Sequence, residues 1–401
     1  MSNYKILQIL FLILIVNSAA SAQETNKNLL DTIIEKGRKS HSNAVIIIRN
    51  NKILVEEYYN QKPKPEYISS AGKSLVSLAI GKLIDDGKIK SLDQPVYEFY
   101  PEWKQGTKKD ITIRMLLNHT SGLQNNPNAS IELEPPPLYK VKNIVQLALC
   151  AEISDKPGTV FNYNNKAVAL LGGIIEKASG QSLDKYFEEN FYGPMDIKQY
   201  DWIRDESGNP TAYGAFILKP MDFAKFGLLI LNGGVYNSQK IISAPWIDQA
   251  FQPGQPFDLR FGLLWWRLLK IDKRVINEKS LKLLEEAQVN SELIAKLRPL
   301  LNDTLSVADF NLNLANQLGN NWYQQINTGL IEKKLPTNSY RVLIQSRDAM
   351  AYYADGFRGN YLVIIPSLNL VAVRVRGSEG DYNPDTDDFD DFVELIAKMT
   401  K

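Results

Sequence analysis

Residues 361–375 read Tyr361-Leu362-Val363-Ile364-Ile365-Pro366-Ser367-Leu368-Asn369-Leu370-Val371-Ala372-Val373-Arg374-Val375. Two aliphatic, β-branched runs flank a Pro-Ser-Leu-Asn turn, which predicts a hairpin over Tyr361–Ile365 and Leu370–Val375. A second pair of such runs lies near the other end of the chain, Ala44 to Ile48 and Ile53 to Tyr58, around Arg49-Asn50-Asn51-Lys52. Between them the pattern turns helical. Candidate helices are Ser70–Asp86, Ile113–Asn118, Ile144–Cys150, Ala167–Ser179, Leu183–Asn190 and Met221–Leu231, several stopped by Gly87, Gly180 or Gly233. One helix precedes the first strand, at about Asn28 to Lys39, and one closes the chain, at about Phe389 to Met399. Strands from both ends can share one antiparallel sheet flanked by helices, with the middle forming a mostly helical lobe. This is an α+β fold whose cleft lies between sheet and lobe. A polar, helix-prone stretch at about 270–345 reads as a helical insertion. It is either a cap over the cleft or a solvated surface addition.

Composition narrows the function. The 46 basic and 45 acidic side chains nearly cancel, so nothing electrostatic favours a nucleic-acid partner. Cys150 is the single cysteine, which rules out an intrachain disulfide. The two histidines, His41 and His119, form no HExxH pattern, so a zinc hydrolase is not indicated and neither a metal nor an organic cofactor is implied. Lys5 precedes an apolar run, Ile6 to Val16, and then Ala20-Ser21-Ala22. That order reads as a secretory signal peptide over residues 1–22, because the apolar run is short for a membrane span. A periplasmic or secreted location follows, with no stable membrane anchor after cleavage and the mature domain at 23–401. The oligomeric state is not encoded in any of these features.

Three short stretches carry candidate chemistry. In Ser70-Ala71-Gly72-Lys73 the serine and lysine lie three apart and share one helix face. A serine hydroxyl becomes a nucleophile when a base takes its proton, and a desolvated lysine amine can be that base. The helix start adds free N–H groups for a developing oxyanion. Tyr163-Asn164-Asn165 follows Pro157-Gly158 and enters an apolar helix, so Tyr163 can project into a cleft and relay protons. Ala354-Asp355-Gly356-Phe357-Arg358-Gly359 leads into the last hairpin, where glycines let a substrate approach the backbone. Each stretch taken singly also has a plain structural reading: an N-cap, a buried tyrosine, a turn.

Together they form a family pattern. The chain resembles the penicillin-binding and class C β-lactamase-like serine hydrolases, a group that includes esterases, D-amino-acid peptidases and amide hydrolases of the 6-aminohexanoate-dimer type. The resemblance rests on Ser70-Ala71-Gly72-Lys73-Ser74, on Ile111 to Leu123 with its His119-Thr120-Ser121-Gly122 run, and on Phe161-Asn162-Tyr163-Asn164-Asn165 with Leu170-Leu171-Gly172. The fourth stretch is Gly356-Phe357-Arg358-Gly359 ahead of Tyr361 to Pro366. It implies a β-lactamase/transpeptidase-like fold and an ester or amide hydrolase of a small-molecule or peptide substrate. Ser70 would be acylated, Lys73 and Tyr163 would share the base and acid work, and Asn165 would position substrate. The Ser70 and Phe357 N–H groups would form the oxyanion hole, with Gly356 and Arg358 beside it. A Ser–His–Asp triad through His119 is the lesser mechanism, since no G-x-S-x-G elbow exists. His119 and Ser121 are expected to pack or cap, Asp222 to cap the helix before Phe223, and Trp265 and Trp266 to fill a strand core.

The third motif departs from the family. Its usual Lys or His, then Thr or Ser, then Gly becomes Ala354-Asp355-Gly356. The missing cation and added acid predict poor binding of an anionic β-lactam, unless Arg358 points inward to offset Asp355. Two further functions stay open: a D-Ala carboxypeptidase, and a non-catalytic cell-wall peptide-binding protein of the same fold.

Overall fold

The computed structural model describes residues 27–59, 62–124, 141–214, 216–333, 335 and 339–399. The expected signal peptide at 1–22 lies outside them. The main sheet has six antiparallel strands: β1 (Ala44–Arg49), β2 (Lys52–Glu57), β3 (Trp266–Leu269), β4 (Ala349–Gly356), β5 (Asn360–Ile365) and β6 (Leu370–Val375). They are ordered β2-β1-β6-β5-β4-β3. The two ends of the chain meet at β1 and β6, where Val45 faces Arg374 in register. Both predicted hairpins are present.

Both faces of the central strands are buried, which is why they read as unbroken apolar runs rather than as an alternation. Ile46, Ile48, Leu362, Ile364, Val371 and Val373 face the helical lobe. Val45, Ile47, Val363, Ile365 and Ala372 face a layer made by the helix at 27–39, through Ile33, and by the C-terminal helix, through Phe392 and Ile396. Four helices matter for the site and its support: α1 (Lys73–Asp85), α2 (Asn165–Ser179), α3 (Pro220–Leu231) and α4 (Phe392–Ala397). The α2 helix is fixed by Asn164, whose side chain accepts the N–H groups of Lys166 and Ala167, and it ends at Gly180 with φ 78°. The sequence placed Asp222 as the cap of α3. Instead it sits inside the first turn, after Lys219 at the cap position, and pairs with Lys225 at 2.8 Å. Pro220 takes the first helical position and moves the start one turn earlier than the Asp222 reading allowed.

The insertion is not purely helical. Helices at Glu278–Glu286, Ser291–Leu297, Val307–Leu318 and Trp322–Glu332 are joined by a three-stranded sheet of Leu305–Ser306, Asp272–Val275 and Val342–Gln345. Leu281, Leu297, Phe310, Leu314, Ile326 and Tyr340 give it a core separate from that of the lobe. It is a small α/β module with its own core rather than a run of helices alone. Polar bonds at Gln345 root it in the lobe: Nε2 donates to Asp258 at 2.9 Å and Oε1 accepts the Leu259 backbone N–H at 2.8 Å.

Candidate active site

Ser70 lies in a single 3-10 turn, Ser69–Gly72, that runs directly into α1. Ser69 is buried with φ 52°, a backbone conformation unfavourable for a residue with a side chain, and it aims the next residue into the cleft. Ser70 is half-buried and Lys73, one turn on, is 3% exposed. Lys73 Nζ donates to Ser70 Oγ at 2.7 Å. The ammonium also lies over two aromatic faces, 5.1 Å from the Tyr163 ring and 6.0 Å from the Tyr213 ring. The Tyr163 hydroxyl is hydrogen-bonded to Ser70, while burial holds its pKa above the usual phenol value. Serine, lysine and tyrosine thus form one hydrogen-bonded group. It can carry a proton away from Ser70 Oγ and return one to a leaving group.

His119 stands behind this group rather than in it. Its ring packs 4.5 Å from Tyr163 and 5.1 Å from Phe261. Nδ1 accepts the Asn164 backbone N–H at 3.2 Å. Burial, reinforced by Lys73, lowers its pKa to about 3. A neutral ring turned toward backbone is a packing element, not the base of a triad. Asn165 opens α2, two residues after Tyr163.

The end of β4 closes the other side. At Gly356 a Cβ would lie 2.4 Å from the Ile68 carbonyl oxygen and 2.9 Å from Ala71 N, so strand and 3-10 turn touch backbone to backbone only because the residue is glycine. This contact brings the Phe357 peptide alongside Ser70. The Phe357 ring is exposed and meets Tyr382 edge to face at 5.0 Å. Arg358 does not stand as an open cation. Its guanidinium donates to the Gly377 carbonyl at 3.1 Å and lies over the Tyr382 ring at 4.9 Å, which answers the expectation of an inward-pointing arginine. Asp355 is only half-buried, yet its pKa is raised to about 7, chiefly by burial and then by Asp388 and Asp390, against the pull of Lys73. Its repulsion of an anion is therefore partial near neutral pH.

Two site neighbours escaped the sequence reading. Trp265 is core, but Trp266 is half-buried and stacks on Tyr163 at 6.3 Å. Adjacent residues on an extended chain point to opposite faces, so one of the pair had to leave the core. Tyr213, which faces Lys73, lies in a loop segment with no motif of its own. Among the described residues no cluster of three or more His, Cys, Asp or Glu side chains could hold a metal ion.

Protein flp of Staphylococcus aureus (strain MW2) is 28% identical over 185 residues, which cover 42% of this chain and 37% of that protein's length. The chain thus spans little more than a third of that relative. A candidate β-lactamase of Bacteroides dorei DSM 17855 superposes with a TM-score of 0.63 at 17% identity, over 93% of this chain and 98% of that one. A candidate 6-aminohexanoate-dimer hydrolase from Bacillus anthracis gives 0.60 at 17%, over 93% and 79%. At such identities the likeness speaks for the fold. Residues 30–392 match the family model described as Beta-lactamase, and the chain belongs to that family and carries its hydrolase fold.

Proposed function

We propose that the protein is an exported serine hydrolase that cleaves an ester or amide bond through an acyl-enzyme on Ser70. The observation that carries this reading is the 2.7 Å contact of Lys73 Nζ with Ser70 Oγ in a group that also contains the Tyr163 hydroxyl. Acting as the neutral amine, Lys73 Nζ accepts the Ser70 proton as Oγ attacks the substrate carbonyl, and the Tyr163 hydroxyl, bonded to the same Oγ, relays the proton on toward the leaving group. The Ser70 and Phe357 N–H groups stabilise the oxyanion. The intermediate then collapses, the alcohol or amine departs with a proton from the same pair, and water releases the acid in a second round. Export is supported by Lys5, the apolar Ile6 to Val16 and Ala20-Ser21-Ala22. Ala354 and Asp355 favour a neutral or cationic acyl group, so a chromogenic cephalosporin is expected to turn over poorly; efficient turnover would remove this substrate reading.

A fluorophosphonate probe tests the nucleophile. Intact mass is expected to show one adduct on the wild type and none on Ser70→Ala. No adduct on the wild type would favour a peptide-binding role instead.

A further inference from the structure

The turn that follows Gly356 has all three of its carbonyls held by buried side chains from outside it. Asn360 Nδ2 donates to the Phe357 carbonyl at 2.7 Å. Arg374 Nη1 donates to the carbonyl of Arg358 and, at 2.9 Å, to that of Gly359. Both donors are fully buried. Arg358 and Gly359 have φ of 67° and 68°, two successive left-handed residues, the first carrying a long side chain. Such a turn persists only where its surroundings over-determine it. A Cβ at Gly359 would lie 2.5 Å from Arg374 Nη1, so the guanidinium itself fits only against glycine.

Arg374 is an unusual occupant of its position. It lies between Val373 and Val375 on a central strand, facing Val45 and Tyr361 in register. A valine there would avoid desolvating a charge. The guanidinium meets uncharged oxygens throughout: Nε donates to Ser42 Oγ at 2.8 Å, and Nη2 to the carbonyls of Ser40 (2.9 Å) and Asp387 (2.6 Å). Burial lowers its pKa to about 10, which leaves it charged at neutral pH. Asn360 is fixed in turn, because its Oδ1 accepts the Arg376 backbone N–H at 2.8 Å. Its Nδ2 also lies 3.5 Å from the hydroxyl of Ser69, the residue before the nucleophile. One amide therefore spans the two backbone segments that present the Ser70 and Phe357 N–H groups.

We propose that Asn360 and Arg374 are positioning residues for the oxyanion hole. With three consecutive carbonyls fixed, the turn cannot rotate its peptide planes. The Phe357 N–H is held between the Gly356 contact on Ile68 and the grip of Asn360 on the Phe357 carbonyl. The inference rests on the reading of Ser70 as nucleophile. It assigns the buried arginine a task that an aliphatic residue could not perform.

The test is fluorophosphonate inactivation of the wild type, Asn360→Ala and Arg374→Lys, each followed across pH and accompanied by its thermal midpoint. A displaced oxyanion donor is expected to lower the maximal inactivation rate of Asn360→Ala about 10- to 100-fold. The probe's half-saturating concentration and the pH midpoint should stay in place, because Lys73 and Tyr163 are untouched. Arg374→Lys keeps the charge and loses the second arm of donors, so a smaller loss of the same kind is expected; it also serves if Asn360→Ala does not fold. A role in packing alone would lower the thermal midpoint and leave the folded protein reacting at the wild-type rate, and that result would overturn the proposal. A wild type that refuses the probe would instead remove Ser70 as nucleophile, and this inference with it.

Discussion

Replacing Asp355 by asparagine should reverse part of a pH-dependent loss of stability. The Asp355 carboxyl titrates at about 7 in the folded chain against an ordinary value of 3.8. Between those values the native state holds a proton that the unfolded chain has released. Stability from this group is therefore full below pH 3.8 and falls as pH rises through about 7. From pH 5 to pH 8 the shift corresponds to a ceiling of about 2.5 kcal/mol. Asp355 keeps partial solvent access, and screening leaves roughly 1 kcal/mol. The asparagine variant lacks this penalty. For a chain of 401 residues the unfolding entropy is on the order of 0.8 kcal/mol per kelvin, so 1 kcal/mol is about 1 °C. Calorimetric midpoints of both proteins at pH 5 and pH 8 give a double difference in which every other carboxylate cancels. The variant should gain about 1 °C on the wild type between the two pH values. Asp388→Asn should produce part of that gain, because Asp388 is the largest charge acting on Asp355. A double difference of zero, or one of opposite sign, would refute the account of this carboxyl.

Lys73→Met should fold and lower kcat/KM for an activated ester about 10²- to 10⁴-fold, the range of a lost general base; activity within threefold of wild type would remove Lys73 from the mechanism. Gly356→Ala places a methyl 2.4 Å from a backbone oxygen that cannot yield. It should cost about 2 kcal/mol of stability and slow acylation at Ser70, read by denaturation and probe labelling; a neutral outcome would contradict the backbone contact. Excising residues 272–345 joins positions already paired, since Ser346 N donates to the Ile271 carbonyl at 2.9 Å and Ile271 N to Ser346 Oγ at 3.1 Å. The shortened protein should stay soluble and still label at Ser70, because the inserted module has its own core; loss of folding would show that the two cores depend on each other.

The parts of this molecule that were legible in the sequence are those governed by local spacing or by burial on both faces. Leu370–Val375 had no competing reading, and Ser70 and Lys73 meet because one helical turn separates them. The strand Asp272–Val275 was hidden by its composition. Asp-Lys-Arg-Val carries no apolar alternation, and it becomes a strand by pairing with Leu305–Ser306 on one side and Val342–Gln345 on the other. Asp355 was legible as an acid in an odd place, but its raised pKa comes chiefly from burial in the folded chain and then from Asp388 and Asp390, which no spacing connects to it. Asn360 and Arg374 were invisible for the same reason. Inside an apolar hairpin they look like blemishes, and only the folded turn shows that their donors meet consecutive carbonyls.

The distribution of charge around Ser70 bears on the substrate more directly than any single residue. Among the described residues, the cations placed around the site are already committed. Lys73 is held by Ser70 and two aromatic rings, Arg374 by carbonyls behind the turn, and Arg358 by Gly377 and Tyr382. None stands where the family's third motif would offer a cation, since Ala354 occupies that place and is buried in the core. Acid groups gather instead: Asp355 lies within the field of Asp388 and Asp390, and burial raises the pKa of all three. Positive charge thus backs the oxyanion turn, where it would stabilise negative charge developing on a reacting carbonyl. Of the three acids, Asp355 is the one that takes the motif position where the family would offer a hydroxyl to a substrate carboxylate. On the proposed function, such a cleft would promote acyl transfer to serine while discriminating against anionic acyl groups, and the discrimination should sharpen as pH rises and Asp355 gives up its proton.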